Sequence, residues 1–437
     1  MPRPVATAAA FLASLLLASP VPAAAAAPVS KDRLARAVDA YAAPLVARGH
    51  LSGQLLVARR GQVLFERSWG WANAELKVPI TPETRLNVAS ITKPMTVMIA
   101  FRLMEQRKIA YHDSIARWLP GFPKADSIRI EHLLRHRSGI PHELEPDSVA
   151  TQPRTAADMV RIAALRPFDF SPGSQSSYSS GGFSVLARIL EIASGQDYES
   201  LLEQYVFDPC GMTHSVHTNG RVLLPNRATC YIAGLSGVEN APYQDYSGLV
   251  GAGSVYSTAR DLHAFVQAIV SGRLGDTMKQ SWLRSGKLAL NGQTNGFRAF
   301  ADYDSASGLE VIFAGNVVSG APGLLQQVIP RLAAGETVAA PPALPTAGAP
   351  PSAERLARIT GVYQLGTGVR LRLHAKDGVL LTNDSWVLVP LEDGSFFSPR
   401  DYGLVRPIEG AGGRVERLDW TQNGQVYPAP RIADLTP

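Results

Sequence analysis

Between residues 333 and 352 the chain reads AAGETVAAPPALPTAGAPPS, with five prolines, one charge and no aromatic side chain. Proline has no N–H to donate and a fixed φ, so this stretch continues neither a helix nor a sheet; it reads as an extended, semi-stiff linker. The rest must therefore fold as two units, 28–332 and 353–437, each closing its own core. The length of 437 residues suffices for that, and 46% apolar against 18% charged residues excludes wholesale disorder. The 38 glycines and 32 prolines follow no collagen-like period, and no short unit repeats. Basic residues outnumber acidic ones by 42 to 37, an excess too small and scattered to mark a nucleic-acid partner.

Beyond the linker, Val369–His374 alternates strictly, Lys376-Asp377-Gly378 turns the chain into Val379–Leu381, and further turns fall at Asp393-Gly394 and Asn423-Gly424. This spacing predicts a small antiparallel, barrel-like β domain without a catalytic cluster. The larger unit opens with a helix, then a hairpin, Gln54–Arg59 and Gln62–Arg67 about Arg60-Gly61. A second hairpin is predicted from 297–303 and 309–314, with mainly helical chain and long loops across 95–275. Strands at both ends with helices between predict an α/β (α+β) domain whose sheet joins its first and last strands.

At the N-terminus Arg3 precedes an apolar run from Ala8 to Ala18, then Pro20, Pro22 and Ala23–Ala27. A basic start, a short apolar core and an A-x-A site match a secretory signal peptide over 1–27. The run is too short for a bilayer, which needs about 20 residues, so export to periplasm or medium without a stable membrane anchor is expected. Cys210 and Cys230 are the only cysteines. They either pair as one disulfide, worth about 3 kcal/mol for a loop of this size, or stand as two separate thiols.

The chemistry concentrates at Asn87-Val88-Ala89-Ser90-Ile91-Thr92-Lys93-Pro94, followed by the apolar, glycine-free stretch Met95–Lys108. Pro94 is tolerated only in a first helical turn, so Ser90–Pro94 is a predicted helix N-terminus with Ser90 and Lys93 on one face. A serine hydroxyl needs a neighbouring base to become a nucleophile, and a lysine one turn away serves if burial lowers its pKa.

Around this block the sequence resembles the serine β-lactamase-related family: class C β-lactamases, D-alanyl-D-alanine carboxypeptidases and related esterases. The resemblance runs in order over about 35–320. Gly53–Val57 with Gly70–Asn73 resembles the first hairpin, and Arg85–Pro94 the nucleophile block. Leu133-Leu134-Arg135-His136-Arg137-Ser138-Gly139-Ile140 is similar to its L-L-x-H-x-S-G-[IL] segment. Gly251–Thr258 with Asp261-Leu262 is similar to its G-A-G-G-[LI]-Y-S-T-x-x-D-L. The family's Y-x-N falls at Tyr178-Ser179-Ser180, which makes Tyr178 the phenolic partner of Ser90 and Lys93. It is expected as base in acylation and acid toward the leaving group, its proton made labile by a nearby lysinium. Ser180 replaces the usual Asn and lacks an amide to contact both Lys93 and a substrate carbonyl. The third motif, K-T-G or H-x-G, falls at Leu290-Asn291-Gly292, upstream of Gly296-Phe297. Gly292 is kept for close substrate approach, and the Gln293 N–H would form the oxyanion hole with that of Ser90. Leu290 replaces a cation, which disfavours anionic substrates.

The resemblance thus implies a β-lactamase/transpeptidase-like antiparallel sheet flanked by helices, with a helical subdomain. It implies a covalent serine hydrolase acting on a small ester, peptide or cell-wall-derived substrate, esterase-like or D-amino-acid peptidase-like, with weak or no β-lactamase activity. The alternative is a catalytically silent member that binds cell-wall or peptide ligands. No cofactor is implied. His132 and His136 stand four apart on a predicted helix, but without H-E-x-x-H or a third ligand no metal is assigned. His214 and His217 read as surface-loop residues, and no G-x-S-x-G elbow occurs.

Overall fold

The computed structural model describes residues 29–434, apart from 145–149, 236, 367–368, 384–385 and 423–424. The expected signal segment and the Asn423-Gly424 turn lie outside the described residues. In the larger unit, α1 (Lys31–Ala47) starts where Ser30 Oγ accepts the N–H of Arg33. It leads into the hairpin β1 (Gly53–Arg59) and β2 (Gln62–Trp69). The helices α2 (Thr92–Glu105), α3 (Ser180–Ser194) and α4 (Ala259–Ser271) follow. The chain then returns through β3 (Lys287–Gln293), β4 (Arg298–Asp304) and β5 (Leu309–Gly315) to α5 (Ala321–Ala333).

These strands form one antiparallel sheet in the order β3-β4-β5-β1-β2, with Gly53 opposite Gly315 and Leu56 opposite Ile312. The first and last strands of the domain therefore meet at its centre. Successive side chains of a strand face opposite ways. Leu55, Val57, Val311 and Phe313 thus meet α1 and α5 on one face, with Leu34, Val38, Leu325 and Ile329. Leu56, Ala58, Ile312 and Ala314 face the larger core shared with α2, α3 and α4. Each large aliphatic or aromatic side chain buried here contributes about 1.5–3 kcal/mol, so the sheet is a rigid platform. Its edge strand β3 packs beside the turn Ala89–Ile91.

From Gly361 to Ala433 eight antiparallel strands close into a barrel, the first pairing with the last at Val362 and Ala433. Helix α6 (Ala353–Ile359) supplies Leu356 and Ile359 to an interior already filled by Tyr363, Leu373, Phe396 and Leu418. Residues 335–352 carry no helix and only one isolated bridge, Ala347 to Leu391. This segment is laid along both units: Pro342 O accepts from Arg48, and Gly348 N–H donates to Pro390 O. The units also touch directly. Tyr402 Oη lies 2.7 Å from His50 Nδ1, and Gly320 N–H donates to Pro399 O.

Candidate active site

The nucleophile segment enters α2 through a short 3-10 turn, Ala89–Ile91, with the helix proper beginning at Thr92. Pro94 sits in its first turn, as expected, and the helix ends at Glu105, three residues before Lys108. Ala89 is held at a left-handed φ of +50°, a conformation costing about 1–2 kcal/mol for a residue with a Cβ. Buried partners enforce it. Asn87 Oδ1 accepts the Ala89 N–H at 2.9 Å, and Asn87 Nδ2 donates to Gly253 O.

Ser90, Lys93, Tyr178 and Ser180 converge although they come from two segments some ninety residues apart. Lys93 Nζ lies 3.1 Å from Ser90 Oγ, 3.1 Å from Ser180 Oγ and 3.0 Å from Ala252 O. All three neighbours are uncharged, and the residue is only 5% exposed. Burial therefore pulls its pKa down to about 7. Tyr178 Oη donates to Ser90 Oγ at 2.8 Å, and burial of the phenol raises its pKa. That is opposite to the labile phenol expected from the sequence: a lysine near pKa 7 is only about half charged at neutral pH, so its positive field on the phenol is reduced.

The edge strand also meets Ser90. The Thr294 N–H donates to Phe297 O, closing the β3–β4 hairpin. Pairs alternate between bonded and non-bonded along an antiparallel ladder, so the Gln293 N–H points out of the edge strand. At Gly292 an added Cβ would lie 2.3 Å from Val88 O and 3.0 Å from Ser90 N. The missing side chain is what lets the edge strand touch the nucleophile turn. Above these groups opens a cavity of about 340 Å³, lined by Ser90, Tyr178, Ser180, Gly292, Gln293 and His142 among others.

The family model described as Beta-lactamase matches residues 34–363, well over half of the chain. The chain belongs to the beta-lactamase family. Among curated relatives, a putative penicillin-binding protein PbpX of Bacillus subtilis is 30% identical over 51% of this chain and 56% of its own length. Esterase EstB of Burkholderia gladioli is 31% identical over 36% of this chain and 44% of its own. The chain thus spans about half the length of the curated relatives it matches. The solved structure of SurE superposes with a TM-score of 0.59 over 92% of this chain and all of that one, at 20% identity. That likeness concerns the fold and extends through the barrel.

Within this beta-lactamase family fold, the departures seen in sequence take definite positions. Ser180 Oγ does reach Lys93, despite its shortness. Leu290 packs against the large core instead of lining the cavity. A cation that the sequence reading did not count, Arg298, does line it and donates to Gln293 Oε1 at 2.9 Å. Burial lowers its pKa, an effect that Asp401 of the barrel and Asp302 offset in part and Arg400 reinforces.

The sequence reading also missed His142, whose only signal was its place two residues beyond the L-L-x-H-x-S-G-I segment. His142 and His136 flank the Tyr178 ring, at centroid distances of 5.2 and 4.6 Å. His136 Nδ1 accepts the Ser179 N–H and His142 Nδ1 that of Ser180. Burial and the neighbouring Lys93 bring both imidazoles down to about 4, so both are neutral at physiological pH.

Two sequence readings are corrected, and the open choice for the cysteines is decided. Helix Ile130–Leu134 stops before His136, which turns away at a φ of +55°, so His132 and His136 share no helix face. His217 is no surface-loop residue: it bonds Ser254 Oγ at 2.8 Å, and its ring meets that of Tyr198. Cys210 and Cys230 are both free thiols. Cys210 is buried in the large core, whereas Cys230 is pinned beneath Gly296, where an added Cβ would lie 2.5 Å from its Sγ.

Proposed function

We propose that this chain is an exported serine hydrolase that cleaves a small ester or amide through a covalent acyl-enzyme. The observation that carries the proposal is the pair of contacts on Ser90 Oγ, from Lys93 at 3.1 Å and from Tyr178 at 2.8 Å. With the substrate carbonyl oxygen between the N–H groups of Ser90 and Gln293, Ser90 Oγ attacks the carbonyl carbon. Its proton goes to neutral Lys93, the group whose pKa suits a base at neutral pH. Tyr178 passes its proton to the leaving atom and recovers one from the lysinium. Water then repeats the sequence in reverse and frees the acid. The role of Tyr178 narrows accordingly from base to proton donor.

An esterase-like preference is supported by Leu290, which stands at the expected cation position and packs half-buried against the core instead of lining the cavity. One relative, EstB, carries the name esterase. Export rests on the basic-apolar-small pattern of residues 1–27. Among the described residues no helix is long and apolar enough to cross a membrane.

The test is hydrolysis of short-chain p-nitrophenyl esters by wild type and Ser90→Ala, beside a β-lactam panel and a D-alanyl dipeptide. Ester cleavage that Ser90→Ala abolishes is the expected result. Equal inertness of both proteins, with Ser90 unlabelled by a fluorophosphonate, would instead establish the ligand-binding alternative.

A further inference from the structure

We propose that His142 is a specificity-determining donor, its Nε2–H binding a carbonyl on the acyl portion of the substrate. The preferred substrates are then esters or amides of acylamino acids and similar acyl groups, over plain alkanoates. This inference rests on the hydrolase reading above and names its substrate class.

The tautomer follows from one contact. The Ser180 N–H, at the first residue of α3, donates to His142 Nδ1 at 3.1 Å. A ring nitrogen that accepts carries no proton, so in the neutral imidazole the proton sits on Nε2. Nε2 has no hydrogen-bond partner among the described residues, and His142 lines the cavity that holds Ser90. The ring stands beside Tyr178, whose hydroxyl touches the nucleophile, so the donor lies one side chain from the reacting centre. An alkyl acyl group seated against this wall strips water from an N–H and gives nothing back; a carbonyl there replaces the lost bond.

The experiment compares kcat/KM for p-nitrophenyl N-acetylglycinate and p-nitrophenyl pentanoate, acyl chains of equal length, in the full chain. Two variants separate donor from scaffold. In His142→Asn the amide oxygen stands where Nδ1 stood and keeps the Ser180 contact, but no donor reaches the Nε2 position. In His142→Gln the amide nitrogen reaches that position. The expected result is a fall of about tenfold in the acetylglycinate-to-pentanoate ratio for His142→Asn, with His142→Gln within about threefold of wild type. A ratio unchanged in His142→Asn, or equal losses on both esters with His142→Gln the worse variant, overturns the proposal in favour of a purely structural histidine. A wild type inert on both esters with Ser90 unlabelled overturns the hydrolase reading, and this inference with it.

Discussion

Lys93 Nζ lies 3.1 Å from Ser90 Oγ, and among the described residues no carboxylate pairs with it. A buried ammonium without a counter-charge loses its proton readily. If neutral Lys93 is the base, kcat/KM for an aryl ester rises with pH through a midpoint near 7, because lysinium accepts no proton. Burial raises the pKa of Tyr178, so its proton stays in place through the ordinary tyrosine range and the plateau has no falling limb below it. A pH–rate profile checks this; activity independent of pH between 5 and 8 would rule out Lys93 as the base.

The same burial implies a stability cost. The cost is greatest at and below pH 7 and fades as pH rises toward the ordinary lysine range, because in that window unfolding takes up a proton on this amine. Lys93→Met removes that penalty while filling similar volume, as buried charges replaced by apolar groups often show gains of about 1–4 kcal/mol. The expected variant hydrolyses no ester and melts at or above the wild-type temperature at pH 7. Calorimetry decides it, and a melting point several degrees lower would show that Lys93 stabilises the fold.

Gly292→Ala tests the oxyanion geometry. The new Cβ meets backbone at Val88 O, which cannot step aside as a flexible side chain can. It pushes the edge strand, and with it the Gln293 N–H, away from Ser90. Loss of one oxyanion donor costs about 100-fold or more in kcat, with KM much less affected. A reduction of less than threefold would mean that Gln293 contributes nothing to the transition state.

The separated thiols make a simple prediction. Unfolded under non-reducing conditions, the protein titrates two thiols per chain with Ellman's reagent, and reductant leaves its melting temperature unchanged. Folded, it reacts slowly, since burial pushes the Cys210 thiol up to about 12 and also raises that of Cys230. Fewer than two thiols in the unfolded chain would show a disulfide after all.

Much of the architecture was legible because it rests on short-range pattern. Alternation at 369–374 marked the barrel, Pro94 marked the start of α2, and the two terminal hairpins announced a sheet joining both ends of the domain. The misreadings arose where a local pattern is ambiguous about its surroundings. His132 and His136 have helical spacing, yet the chain leaves the helix at Leu134. His217 lies in a polar stretch, yet the short strand that carries it packs its ring on Tyr198.

By itself, then, the sequence determined that Ser90 and Lys93 lie one turn apart and that the chain turns at Arg60-Gly61 and Asp377-Gly378. All of these are set by covalent geometry and neighbours within a few positions. Only the tertiary structure decided the protonation of the site. The pKa of Lys93, the donor state of Tyr178 and the tautomer of His142 depend on burial and on contacts with Ala252, Ser90 and Ser180. Desolvation and hydrogen bonding act through space, across separations of 38 residues for His142 and Ser180 and of 159 for Lys93 and Ala252, which no local pattern encodes.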